Sequence, residues 1–180
     1  MPKYIAFLRA INVGGHVVKM DHLRSLFETL GFANVETFIA SGNVIFETAA
    51  KNRKLLERQI EEHLHKALGY EVATFIRTDG EVREVADYQP FSTAHIAEAI
   101  AFNIGFLKEP LSDEGVYSLM ALQTALDEFQ VNNRELYWLS RARQSDSKFS
   151  NAVFERTLKT KATFRGRNTL IRLAAKYPDK

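Results

Sequence analysis

The chain has 180 residues, of which 46% are hydrophobic and 26% are charged, and its formal net charge is +2. This composition is typical of a folded globular protein, and the charge gives no argument for nucleic-acid binding. Because there is no cysteine, disulfides, thiolate nucleophiles and Cys-ligated metal sites are excluded. The N-terminal residues lack a signal-peptide pattern, and no apolar stretch approaches membrane-spanning length. We therefore expect a cytoplasmic protein without membrane contact.

The first half reads as a β-α-β-β-α-β unit, because apolar runs alternate with segments of helical periodicity. Two β-rich runs meet across Ser41-Gly42, which is a hairpin pattern. Asp21 is placed to cap the first helix, and Gly69 to end the second. The expected elements are a strand at 4–10, a helix from Asp21 to Leu30, strands at 35–40 and 43–48, a helix through Leu55–Leu68, a strand at 71–77 and a short helix at 79–87.

The second half repeats this order, and its strand motifs echo the first half, as in Ala73-Thr-Phe75 and Ala162-Thr-Phe164. Its expected elements are a strand at 99–108, a helix at 113–126, strands at 128–132 and 135–140, a helix at 150–158, a strand at 161–165 and a helix from Thr169. Residues 88–93 form the expected linker, since Pro90 interrupts local order. The sequence thus predicts an α+β fold of two tandem ferredoxin-like (βαββαβ) subdomains, 1–88 and 95–180, related by internal duplication.

Each subdomain is expected to have its own core. The first is predicted to contain Phe7, Leu26, Phe27, Phe46, Leu56 and Ile60. The second is predicted to contain Phe106, Leu119, Leu136 and Leu158.

Polar residues follow the first two strands, whose ends share a sheet edge in this topology. Glycines there permit close backbone approach, and the helix that follows has free N–H groups that favour anions. The alternative is a pair of tight turns whose polar residues satisfy their own backbones. On the functional interpretation, Asn43→Ala weakens ligand retention with little loss of stability. The candidate ligand-binding residues are Arg9, Asn12, Gly14, Gly15, Lys19, Ser41, Gly42 and Asn43, with His16 beside them.

A second candidate anion site is expected at the opposite edge of the second half. There the loop before its second helix meets the end of its last strand, so that two helix N-termini and three cations face one region. The alternative is simple capping by Ser150 and Thr169. The candidate residues are Lys148, Ser150, Asn151, Arg165 and Thr169, near Thr163, Arg167 and Asn168.

Three functions stay open. The first is binding of a small anionic ligand or a phosphorylated partner. The second is an enzyme of unknown reaction that uses Arg9, His16 and the Ser41–Asn43 turn. The third is a single-stranded RNA binder, although Asn43–Glu47 lacks the basic-glycine-aromatic run of an RNA-binding strand.

Other chemistries lack support. His63 and His65 lie two apart on a helix and cannot share a face, so we expect no metal site. There is neither a Walker loop nor a dinucleotide fingerprint, and the sequence identifies no cofactor. It also leaves the oligomeric state open.

The chain resembles the domain-of-unknown-function family numbered 1697. The resemblance is carried by the segments 7–15, Lys19-Met20 with Leu23, Gly31-Phe32 with Asn34-Val35, Ser41–Val44, Phe106–Pro110 and Lys148–Asn151. It implies a small bacterial α+β protein of two similar subdomains and supplies no established activity. The chain departs from the family pattern at Arg165–Thr169, where the family tends to have Arg-Asn-Trp, one residue, then Thr. Arg165 and Thr169 carry over, whereas the Asn and Trp do not.

Overall fold

The protein forms two compact units. The computed structural model describes residues 1–12, 14–39, 42–143 and 146–178. Unit 1 comprises Met1–Val82 and the chain end from Tyr177, and unit 2 comprises Arg83–Lys176. The proposed folding domains, 1–88 and 95–180, stay a prediction.

Unit 1 is built around a four-stranded antiparallel sheet of order β2-β3-β1-β4. Because β1 and β2 are each antiparallel to β3, they point the same way and end at the same edge of the sheet. The elements are β1 (Lys3–Leu8), α1 (Met20–Thr29), β2 (Ala33–Thr37), β3 (Asn43–Glu47), α2 (Arg53–Leu68), β4 (Thr74–Thr78) and α3 (Asp79–Asp87), which runs across the boundary between the units.

Unit 2 repeats the topology, with an antiparallel sheet of order β6-β7-β5-β8. Its elements are α4 (Thr93–Glu98), β5 (Ala101–Phe106), α5 (Asp113–Met120), β6 (Asp127–Asn132), β7 (Glu135–Ser140), α6 (Asn151–Leu158), β8 (Thr163–Gly166) and α7 (Arg167–Lys176). The α+β fold of two tandem, duplicated βαββαβ units is therefore confirmed.

The helix-covered face of each sheet forms a core, and each core lacks one of the residues that were predicted for it. In unit 1 the core contains Leu26, Phe27, Phe46, Leu56 and Ile60, as expected. Phe7 is fully buried but lies on the opposite face, because Tyr4, Ala6 and Leu8 of β1 face the helices. In unit 2, Leu119, Leu136 and Leu158 join the core, whereas Phe106 is buried on the other face. The apolar runs of β1 and β5 show no alternation of apolar and polar residues, so the sequence does not reveal which side chains face the helices. Both face assignments were therefore wrong.

The predicted ends of two helices and the predicted linker also differ. The N-cap of α1 is Lys19, and Asp21 lies in the first turn. Helix α4 occupies part of the expected linker, since Ser92 accepts a hydrogen bond from the His95 amide and starts a helix. Helix α5 ends at Met120 rather than at 126.

Two carboxylates of α2 cover the outer edge of β4. The Thr74 amide donates to Glu61 Oε1 at 3.2 Å, and the Ile76 amide donates to Glu57 Oε1 at 3.3 Å. Glu57 is 3% exposed and also accepts from Arg53 Nη1 at 3.0 Å. These glutamates therefore satisfy an edge strand that would otherwise offer unpaired N–H groups.

Candidate functional site

The first candidate site lies where the end of β1 meets the β2–β3 hairpin. The Leu8 amide donates to the Gly42 carbonyl at 2.9 Å, which joins the two segments directly. A Cβ on Gly42 would lie 2.9 Å from Ile11 Cγ2 and 3.1 Å from Leu8 Cβ, and the φ of Gly42 is +82°. Gly42 is thus required for both backbone conformation and packing. This contact places the hairpin beside the segment 9–19, which we call the glycine loop.

The glycine loop is held at its base. Ile11 and Val18 are buried in the core of unit 1. The Val18 amide donates to Asn12 Oδ1 at 2.7 Å and closes the loop on itself. The Tyr70 hydroxyl donates to the Ile11 carbonyl at 2.8 Å. The loop is therefore held by one of its own residues, Asn12, and by Tyr70, which lies outside the loop.

Tyr70 is a site residue that sequence reasoning missed. Its ring stacks on the His16 ring with centroids 4.0 Å apart and an interplanar angle of 25°. Desolvation by burial raises the pKa of Tyr70, which favours the protonated hydroxyl that donates this hydrogen bond. The only sequence signal was an aromatic residue directly after the helix-ending Gly69, where a hydrophobic contact is common.

The tip of the loop is open. Gly14 and Gly15 have φ of +63° and +84°, and a Cβ on either would find nothing within 4 Å. Two other residues near this edge, Ala10 and Ile39, also have positive φ, at 55° and 57°. Left-handed backbone is costly for residues with a side chain, above all for a β-branched isoleucine, and such strain clusters at functional sites.

Two cations flank the loop. Arg9 directly follows β1 and is half-buried, whereas Lys19 is exposed. Lys19 is the N-cap of α1 and makes no side-chain capping bond. By contrast, the N-caps of α2, α4, α5 and α6 all accept a backbone N–H through a side-chain oxygen. The first turn of α1 therefore presents amides that its own N-cap side chain does not satisfy.

Asn43 differs from its predicted role. It is 0% exposed, and its Nδ2 donates to the Phe38 carbonyl at 2.8 Å, within the hairpin. The side chain satisfies local backbone, as the alternative interpretation held, and it does not line an exposed surface. Ser41 lies outside the described residues. The structure thus brings together Arg9, Asn12, Gly14, Gly15, Lys19 and Gly42 around one edge, with Asn43 beneath it.

The second candidate cluster does not assemble as expected. Ser150 caps α6 by accepting from the Val153 amide at 3.2 Å, and Asn151 Nδ2 donates to the Ala162 carbonyl at 3.0 Å. Ala162 precedes β8, so the loop meets the start of that strand rather than its end. Helix α7 begins at Arg167, so Thr169 does not cap it. Lys148 is exposed.

Arg165 lies on the opposite face of the sheet from α6. Phe164 packs against Trp138, Phe149 and Phe154 on the helix face, so its neighbour Arg165 points the other way. Arg165 is 7% exposed, and its Nη1 donates to Thr163 Oγ1 at 2.8 Å. Burial lowers the pKa of Arg165 to about 10. The predicted cluster is therefore split between two faces.

Two further observations concern the described residues as a whole. Within them, no helix combines the length and apolarity needed to cross a membrane. The same residues hold no group of three or more histidine or carboxylate side chains suited to a metal ion.

The fold and loop define a small α+β protein of two tandem βαββαβ units in which only the first unit carries a glycine loop. The family model described as "Protein of unknown function (DUF1697)" matches residues 1–137, and the chain belongs to that family. A solved structure, that of the conserved bacterial protein SP0830 from Streptococcus pneumoniae, is similar, with a TM-score of 0.75 and 21% identity over 97% of each chain. This similarity shows the fold. No curated protein matches the chain.

Proposed function

We propose that the protein binds a small phosphate-like anion at the glycine loop. The proposal rests on one comparison between the two units. The connection from the first strand to the first helix of the sheet differs between them. In unit 2, β5 reaches α5 through residues 107–112, and Ser112 caps the helix by accepting from the Gly115 amide at 3.0 Å. In unit 1, the longer segment 9–19 makes the connection and ends on Lys19 without a side-chain cap. Unit 2 has the same topology with the shorter connection, so the extra length of 9–19 is not required by the fold.

The chemistry at the loop suits an anion. Successive backbone N–H groups in a turn conformation form concave sites for phosphate, and glycines let the ligand approach them. Arg9 and Lys19 supply positive charge at the two ends of the loop. The first turn of α1 adds the partial positive charge of a helix N-terminus. A dianionic phosphate would therefore satisfy amides that the protein's own N-cap leaves open.

Calorimetric titration with inorganic phosphate tests the proposal. Lys19→Ala should weaken binding about tenfold, because a hydrogen bond to a charged group contributes about 1.5–3 kcal/mol. The matched control is Lys148→Ala, an exposed lysine before α6 in the second candidate site. It should leave the affinity unchanged. Loss of binding in Lys148→Ala with none in Lys19→Ala would reject the glycine loop in favour of that second site.

The other functions stay predictions. A phosphorylated partner surface would present the same anion, and binding of a phosphopeptide but not of free phosphate would indicate it. For the enzyme, Asn43 of the proposed turn is fully buried and donates to the Phe38 carbonyl, so this residue gives the enzyme no support. For the RNA binder, Tyr137 and Trp138 of β7 are 1% and 3% exposed, so this strand offers no stacking surface.

A further inference from the structure

We infer that the preferred ligand of the glycine loop is a phosphate monoester that carries a planar aromatic ring, with the ring stacked on His16. The inference rests on the proposed function, which supplies the phosphate site. It adds a second recognition element that neither the fold nor the anion site requires.

His16 is an exposed residue whose ring is nevertheless fixed. Tyr70 covers one face of the imidazole at a centroid distance of 4.0 Å. Tyr70 is itself oriented by the hydrogen bond from its hydroxyl to the Ile11 carbonyl. A loop side chain that only needed to be solvated would not require this support. His16 is exposed overall, so we assign the ring face away from Tyr70 as a preorganised platform for a second ring.

The position of the platform fits one end of a monoester. His16 directly follows Gly15, so its ring lies one residue from the open tip whose amides would hold the phosphate. Val17, the next residue in the chain, is 83% exposed and adds apolar surface to the same loop. Phosphate and ring would thus be bound by consecutive residues of one loop, which matches a compact ligand such as a nucleoside monophosphate.

Stacking on His16 is the interaction that distinguishes a ring-bearing phosphate monoester from other phosphate ligands. A base stacked on an aromatic side chain gives about tenfold or more in affinity, and any flat π-face suffices. An aliphatic sugar phosphate offers the same anion without a ring. A ring-bearing monoester should therefore bind more tightly than a sugar phosphate.

The test is a calorimetric comparison of adenosine 5′-monophosphate, ribose 5-phosphate and inorganic phosphate at pH 8, where the monoesters are dianions. The expected result is about tenfold tighter binding of adenosine monophosphate than of ribose 5-phosphate. His16→Ala should reduce this ratio to about one. His65→Ala, which removes an exposed histidine of α2, should keep the ratio of the natural chain.

The contrary outcomes are distinct. Equal affinity for the two monoesters, with phosphate binding intact, would overturn the inference and leave the anion site standing. Absence of binding by all three probes would overturn the proposed function and the inference with it. Equally tight binding of a single-stranded oligonucleotide without a terminal phosphate would overturn the monoester assignment in favour of a nucleic-acid surface.

Discussion

Asn43 shows how one residue can look functional in sequence and be structural in the fold. It follows a glycine turn between two strands, a position where sequence predicts display of a polar side chain. The β1–β3 register instead places Asn43 opposite Phe7, a fully buried residue. The side-chain amide then donates to the Phe38 carbonyl within the hairpin. Burial, which the local sequence does not encode, decides the role.

We therefore expect Asn43→Ala to destabilise the protein. The change should cost about 1–3 kcal/mol, because it removes a fully buried side chain and the hydrogen bond that this side chain donates to the Phe38 carbonyl. The measurement is urea denaturation beside Asn168→Ala, an exposed control on α7 that should change the free energy of unfolding by less than about 0.5 kcal/mol. An equally small change in both variants would return Asn43 to the exposed surface that the sequence suggested.

At the scale of elements, β4 depends on α2 for more than apolar packing. As an edge strand, β4 has outward N–H groups. Glu57 and Glu61, which lie one helical turn apart on α2, accept hydrogen bonds from two of these groups. From the sequence alone, Glu61 and its neighbour Glu62 look like a solvated helix face. The buried position of Glu57 indicates that its carboxylate is part of the sheet's hydrogen bonding.

Glu57→Ala should lower the free energy of unfolding by about 1–3 kcal/mol, because the Ile76 amide and Arg53 both lose an acceptor. Glu62→Ala is the matched control, since Glu62 lies on the same helix and is exposed. It should stay within about 0.5 kcal/mol of the natural chain. Urea denaturation of the two variants side by side measures both. Equal effects would show that the carboxylate of Glu57 does not support β4.

The order of elements was predictable because apolar runs and helical periodicity alternate clearly, and turn residues mark their limits. Helix ends and strand faces were not. Residues 121–126 favour helix locally, but Gln123 and Thr124 use their side chains to accept the Phe129 and Asp127 amides of β6. These local contacts tie residues 123–124 to the start of β6, and α5 ends at Met120. The faces of β1 and β5 were missed for a related reason, since strands covered on both sides show no alternation.

At the scale of the whole molecule, the two units can be compared with each other. Features that both units share belong to the fold, and features that only one unit has are additions to it. Arg77 and Arg165 occupy matching positions, opposite Ile5 and Ile104, and each donates through Nη1 to the carbonyl of the preceding residue at 2.9 Å. Such shared features belong to the scaffold. The glycine loop has no counterpart in the connection from β5 to α5. Its location was predictable from topology, but the Tyr70 support was not, because it depends on a contact across more than fifty residues.

The most direct test of the account is an amide-resolved NMR titration of the natural chain with inorganic phosphate. If the glycine loop binds the anion, saturable shift changes should concentrate at Gly14, Gly15 and His16 and in the first turn of α1, because their N–H groups would face the ligand. Saturable changes confined to the first turn of α6, or no saturable change anywhere, would contradict the account.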